Sequence, residues 1–158
     1  MTANTERTLL GEGNFIMVRD YYDRLLDDIG QERISQYDRE ESGGQCFDAE
    51  EIDQGGGIYG FGALDRDKQV AILRAIARNL PTRTSRPNTR TGTSYAIKHA
   101  VERYVGFYVS NLQTKTAFRI LGYRRSGYQL NPFFNISLRE WRAFSGLSRN
   151  MADDRLSA

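Results

Sequence analysis

Few residues in this chain have side chains suited to catalysis. There is one histidine, His99, and one cysteine, Cys46, among 158 residues. That count excludes an internal disulfide and four-ligand Cys/His zinc sites, and it removes most Ser-His-Asp and Cys-His nucleophile arrangements. His99 stands beside Lys98 and three residues before Glu102. A histidine near a carboxylate can act as a general base, but no nucleophile or metal set accompanies it. Cys46 lies among carboxylates, which raise a thiol pKa and leave it inert. Asp20, Asp23 and Asp27 share one helical face and offer oxygens to a divalent cation, although such stripes are ordinarily solvated. Gly55-Gly56-Gly57, with Gly60 and Gly62, precedes a helix, where an anion-cradling loop would sit. No Gly-Lys-Ser/Thr follows, and Asp65 and Asp67 at that helix start repel phosphate. The expectation is a protein that is not an enzyme and carries no cofactor or metal.

Charge is more informative. The net +2 conceals two halves of opposite sign: residues 1–80 carry nine Lys/Arg against sixteen Asp/Glu, a balance of −7, and residues 81–158 carry thirteen against four, a balance of +9. Asymmetry of this kind points to nucleic acid or an acidic partner on the basic side. Between 82 and 125 there are nine Lys/Arg and a single carboxylate, Glu102. Arginine dominates this half; it grips phosphate and guanine edges bidentately and stacks on bases. A GC-rich genome explains a high Arg/Lys ratio equally well, but not the separation of sign.

The elements that would position these charges follow from periodicity and caps. Phe15, Val18, Tyr22, Leu25, Leu26 and Ile29 mark an amphipathic helix over 15–29, closed by Gly30. Residues 31–64 are acidic, glycine-dotted and weakly periodic, with short strands conceivable near 45–47 and 58–61. Asp65 caps a helix lined by Val70, Leu73, Ile76, Ala77 and Leu80, which Pro81 stops. Residues 81–93 read as a basic linker or arm carrying Arg83, Arg86 and Arg90. Ser94 caps a helix to Val105, ended by Gly106. Ser110 and Gln113 form a capping box opening a helix to Leu121. Tyr123–Arg125 and Tyr128–Leu130 flank Ser126-Gly127 as a hairpin signal. Ser137 and Glu140 make a second capping box for a helix through Trp141 and Phe144 to Gly146, and 148–158 read as a flexible tail.

The expected class is therefore α+β: an acidic, mainly helical region over 1–80 and a compact module over 94–147. The order helix, connector, helix, hairpin resembles a helix-turn-helix with a wing. On that plan helix 111–121 is the recognition element, and the nucleic-acid contacts are Arg83, Arg86, Arg90, Lys115, Arg119, Arg124 and Arg125. Of the aromatic residues interleaved with these charges, most belong to a core, and Tyr108, Tyr123 and Tyr128 are those whose exposure would allow stacking.

The stretch Ser94-Tyr95-Ala96-Ile97-Lys98-His99 with Glu102, Gly106 through Asn111, Ala117 through Tyr123, and Leu130-Asn131 resembles a group of small uncharacterised proteins of bacterial plasmids, integrative elements and prophages. The likeness covers about 94–137. The group often has glycine after the Ser-Asn pair, where this chain has Leu112. The group has no established activity, so no functional residue carries over. The resemblance implies mobile-element biology, in which small proteins regulate DNA or, like anti-CRISPR proteins, inhibit host defence complexes.

Together these readings give a non-catalytic binding protein whose partner is nucleic acid or a host nucleoprotein complex. The rival is a protein–protein inhibitor working through Asp20, Asp23, Asp27 and Asp28, and a small nuclease is a minor alternative. No stretch approaches the roughly 20 apolar residues of a membrane helix and no secretory signal is evident at the N-terminus, so the expected location is cytoplasmic.

Overall fold

A computed structural model describes residues 6–10, 14–18, 20–42, 60–127 and 129–157. Among these described residues six helices form the body: α1 (Tyr21–Ile29), α2 (Gln31–Glu41), α3 (Arg66–Asn79), α4 (Ser94–Val105), α5 (Asn111–Ile120) and α6 (Leu138–Ser157). No strand or sheet enters this body, so the expected α+β class is corrected to all-helical. Among the described residues, extended pairing is confined to an N-terminal two-stranded ribbon, β1 (Glu6–Leu10) with β2 (Asn14–Val18), and to two single bridges.

The helix expected over 15–29 begins only at Tyr21. Asp20 ends the extended backbone and caps α1, its carboxylate accepting from Tyr22 N at 2.8 Å. Gly30, at φ +85° and ψ 150°, then joins α1 directly to α2, a backbone conformation that side chains disfavour. α2 went unrecognised because its inward face is largely polar: Ile34 is buried with Asp38 and Glu41. Buried carboxylates at helical spacing break the apolar stripe by which an amphipathic helix is read.

Further along, Asp65 caps α3 as expected, accepting from Lys68 N at 2.9 Å. The cap of α4 is Thr93 rather than Ser94, whose buried hydroxyl has no hydrogen-bond partner among the described residues. Ser110 and Gln113 form the expected capping box on α5. At α6 only half of the second box is present. Glu140 N donates to Ser137 Oγ at 3.3 Å, but the Glu140 carboxylate accepts from Thr82 N at 2.8 Å, tying the 81–93 segment to the helix start. α6 continues beyond Gly146 to Ser157. The candidate strand at 45–47 and the glycine run 55–57 lie outside the described residues; Phe61 and its neighbours form a tight turn ahead of α3.

The core joins α3, α4 and α5, with α1, α2 and α6 packed around them. Phe118 of α5 stacks on Phe134, centroids 4.0 Å apart, and meets Tyr123 edge-on at 4.9 Å. This packing explains why the expected wing is absent. Arg125 bridges to Phe134, beyond the expected second arm of the hairpin, and this pairing accompanies the burial of Phe134 and Ile136. The 81–93 segment lies along the same stretch: Thr84 N donates to Asn135 O, and Asn88 N to Phe134 O, both at 2.9 Å. No helix among the described residues is long and apolar enough to cross a membrane.

The turn at Gly60–Gly62 is held by side chains from three helices. Asp38 Oδ1 accepts from Phe61 N and from Thr116 Oγ1, and its Oδ2 accepts from Gly62 N. Gln31, Gln69 and Gln113 amides donate to the carbonyls of Gly62, Phe61 and Gly60. Burial pushes the Asp38 carboxyl above its ordinary range, opposed by these hydrogen bonds. Removing the acceptor leaves three donors unsatisfied, at about 1–3 kcal/mol for a buried one. Asp38→Ala should therefore lower stability by about 2–4 kcal/mol in urea denaturation, and Thr116→Val by about 1 kcal/mol.

Candidate functional site

The predicted recognition helix α5 is the central helix of the core. Gln113, Thr114, Lys115 and Thr116 are each at most 3% exposed, so this face cannot enter a nucleic-acid groove. Three of the cations expected to read DNA from α5 and the hairpin, Lys115, Arg119 and Arg125, instead gather around Glu41 of α2. Arg125 Nη1 pairs with Glu41 Oε2, Arg119 Nη1 lies 3.5 Å from Glu41 Oε1, and Arg119 Nη2 pairs with Glu40. The Arg119 guanidinium also lies 4.4 Å from the centre of the Tyr37 ring. Lys115 Nζ donates to Leu130 O at 3.1 Å. Glu41, Lys115, Arg119, Tyr123, Arg125 and Phe134 line a solvent-open cavity of about 200 Å³.

Desolvation governs the electrostatics here. Burial pushes the Glu41 carboxyl above its ordinary range, against the pull of Arg125 first and then Arg119 and Lys115. Burial likewise lowers the Lys115 ammonium, with Glu41 opposing and Arg125 reinforcing.

A second cleft, of about 470 Å³, is lined by Arg83, Thr84, Ser85, Gly122, Arg124 and Asn135. Asn135 organises it. Its Oδ1 accepts from Arg124 N at 2.7 Å and its amide donates to Thr84 O at 3.1 Å, fixing two distant segments side by side. The Arg83 guanidinium donates to the Leu121 and Gly122 carbonyls at the end of α5 and lies 4.4 Å from the Tyr123 ring centre. Arg86 and Arg90 are exposed on the same segment as Arg83. Among the described residues, Arg83, Arg86, Arg90 and Arg124 make no ion pair.

The acidic candidates meet α3. Asp20 is 5% exposed and pairs with Arg74, while Asp23 and Asp27 both pair with Arg66, at 3.0 and 2.9 Å. Asp28 is exposed. Among the described residues no group of three or more His, Cys, Asp or Glu is placed to hold a metal ion. His99 Nδ1 lies 3.8 Å from Glu102 Oε2, too far for a hydrogen bond, and its ring packs edge-on against Tyr95. Glu102 instead accepts from Val109 N at 3.0 Å. Of the aromatics singled out for stacking, Tyr108 is 58% exposed and lies under Lys98, whereas Tyr123 is buried with its hydroxyl donating to Leu80 O. The side chain of Tyr128 lies outside the described residues.

Sequence reasoning missed Glu41 and Asn135 as organising residues. An acid inside a weakly periodic run, and an asparagine between Phe134 and Ile136, carry no local signal of their partners 84 and 11 residues away. Removing Arg125 leaves Glu41 buried with weaker pairing, so Arg125→Met should cost about 2–4 kcal/mol at pH 7. The sign with pH follows from the raised Glu41 carboxyl. As pH falls toward the ordinary carboxylate range, the folded chain takes up this proton before the unfolded chain does, and the penalty shrinks. Urea denaturation of both proteins at pH 7 and near pH 5 measures it. Comparison with protein-family models, curated proteins and solved structures finds no match to this chain.

Proposed function

We propose that the chain is a non-catalytic protein that binds nucleic acid through the face built by Arg83, Arg86, Arg90 and Arg124. The observation that carries this reading is the Asn135-organised cleft, where Arg83 and Arg124 meet with no carboxylate in the lining. A phosphate backbone is recognised by arginines, hydroxyls and backbone amides gathered on one surface. Ser85 supplies a hydroxyl beside the two guanidiniums, and Arg86 and Arg90 extend the positive potential along the segment. The likeness of residues 94–137 to mobile-element proteins agrees with a DNA-binding regulator or a defence inhibitor that engages a nucleoprotein complex. The rival, an inhibitor acting through carboxylates, draws less support, because Asp20, Asp23 and Asp27 face arginines of their own chain.

Binding through phosphate releases counterions, so affinity falls with salt at about 0.9 in log–log slope per phosphate neutralised. Fluorescence anisotropy with a labelled duplex and a labelled single strand, at 50 and 200 mM salt, tests the face. Arg86→Ala with Arg124→Ala should weaken binding about tenfold or more at the lower salt and reduce the slope by about 2. Arg119→Ala, checked for folding by circular dichroism, should leave the slope unchanged. Absence of binding by the wild-type chain at 50 mM salt, or an equal loss on removing Arg119, overturns the reading.

A further inference from the structure

Beyond the arginine face, the cavity under α2 holds a cation whose hydrogen-bonding capacity is mostly unused. Lys115 is 3% exposed and carries three N–H donors, yet among the described residues its ammonium has one acceptor, Leu130 O at 3.1 Å. Among the described residues the ammonium makes no hydrogen bond to Glu41, whose two oxygens face Arg125 and Arg119. Among the described residues that meet at the cavity, Lys115, Arg119 and Arg125 set three positive charges against the two negative charges of Glu40 and Glu41. A buried ammonium short of acceptors costs free energy unless something else fills its coordination. The space beside it is open to solvent, about 200 Å³ in volume, and walled on its apolar side by Tyr123 and Phe134.

We propose that this cavity is a binding site for a small oxyanion, anchored by Lys115 Nζ and flanked by the Arg119 and Arg125 guanidiniums. The anion supplies the acceptors that Lys115 lacks among the described residues and adds negative charge beside the three cations. Oxyanions of carboxylate or phosphate type present two or more oxygens to such a cluster, and arginine and lysine together recognise both. Occupancy bridges α2 to α5, so the ligand also stabilises the docking of the acidic helix. Lowering of the Lys115 ammonium by burial agrees, since an anion there opposes it. This site shares no lining residue with the Arg83–Arg124 cleft.

The test uses the full chain with sodium phosphate and sodium acetate as probes, each against sodium chloride at matched ionic strength. Thermal unfolding should shift upward by several degrees with one of the two oxyanions beyond chloride, and calorimetric titration should give one site per chain. The probe that acts identifies whether the site prefers tetrahedral or planar oxyanions. Lys115→Met keeps the buried stem and should abolish the shift, whereas Arg86→Ala with Arg124→Ala should retain it, separating this site from the nucleic-acid face. Should Lys115→Met fail to fold, the side-chain ¹⁵N resonance of Lys115 in the wild-type chain gives the same answer, its titration moving upward by about one pH unit or more on addition of the active probe. No effect beyond chloride from either probe, an oxyanion effect that survives in Lys115→Met, or a Lys115 resonance unmoved by either probe overturns the proposal and leaves the spare donors to water.

Discussion

Two buried carboxylates dock α2 onto the rest of the molecule, and most of the charge arrangement follows from that docking. Asp38 binds the Gly60–Gly62 turn and Thr116 of α5, and one helical turn later Glu41 meets Arg119 and Arg125. Both acids are nearly inaccessible, at 1% and 3% exposure. A carboxylate taken from water is costly unless its oxygens are matched, so each must keep its partners for α2 to stay in place. The register of α2 on α5 is thereby fixed by polar geometry more than by apolar area, since Ile34 is the only buried apolar residue of α2 among those described.

The opposite charges of the two halves are thus partly spent inside the fold. Arg119 and Arg125 answer Glu40 and Glu41, while Arg66 and Arg74 of α3 answer Asp23, Asp27 and Asp20. These contacts differ in worth. The Arg66 pairs are around 40% exposed and contribute little, whereas the Arg125–Glu41 pair is largely withdrawn from solvent, at 17% and 3% side-chain exposure. The positive charge that remains outward is displaced from α5 to the 83–90 segment and Arg124, where pairing with Asn135 gathers it. A helix-turn-helix reading places the binding face on α5; the structure makes α5 the core and turns the loops beside it outward.

What was legible in the sequence was local. The Asp65 cap of α3, the Ser110–Gln113 box and the apolar stripe of α3 depend on neighbours within a few residues, and they stand as read. The helix ending at Ile29 was legible too, but its start was not, because the apolar spacing of Phe15 and Val18 suits helix and strand alike and Asp20 caps where the backbone turns. The hairpin failed for a tertiary reason: Tyr128–Leu130 has strand propensity, but Phe134 and Ile136 have the core to fill. α2 failed because its inward face carries acids whose partners lie on α5 and beyond it. At the site, the identity of the cations was readable and their direction was not. Lys115 and Arg124 look alike as basic residues nine apart, yet one is buried beside Glu41 and the other lines an open cleft.

The account stands or falls on whether the acidic helix and the α5 cations are energetically coupled in solution. A double-mutant cycle on Glu41→Gln and Arg125→Met, followed by urea denaturation at pH 7, reads that coupling directly. The pairing described here predicts an interaction energy of about 2 kcal/mol between the two positions. Additivity within about 0.5 kcal/mol would contradict it, and would return Arg125 to the outward-facing cations.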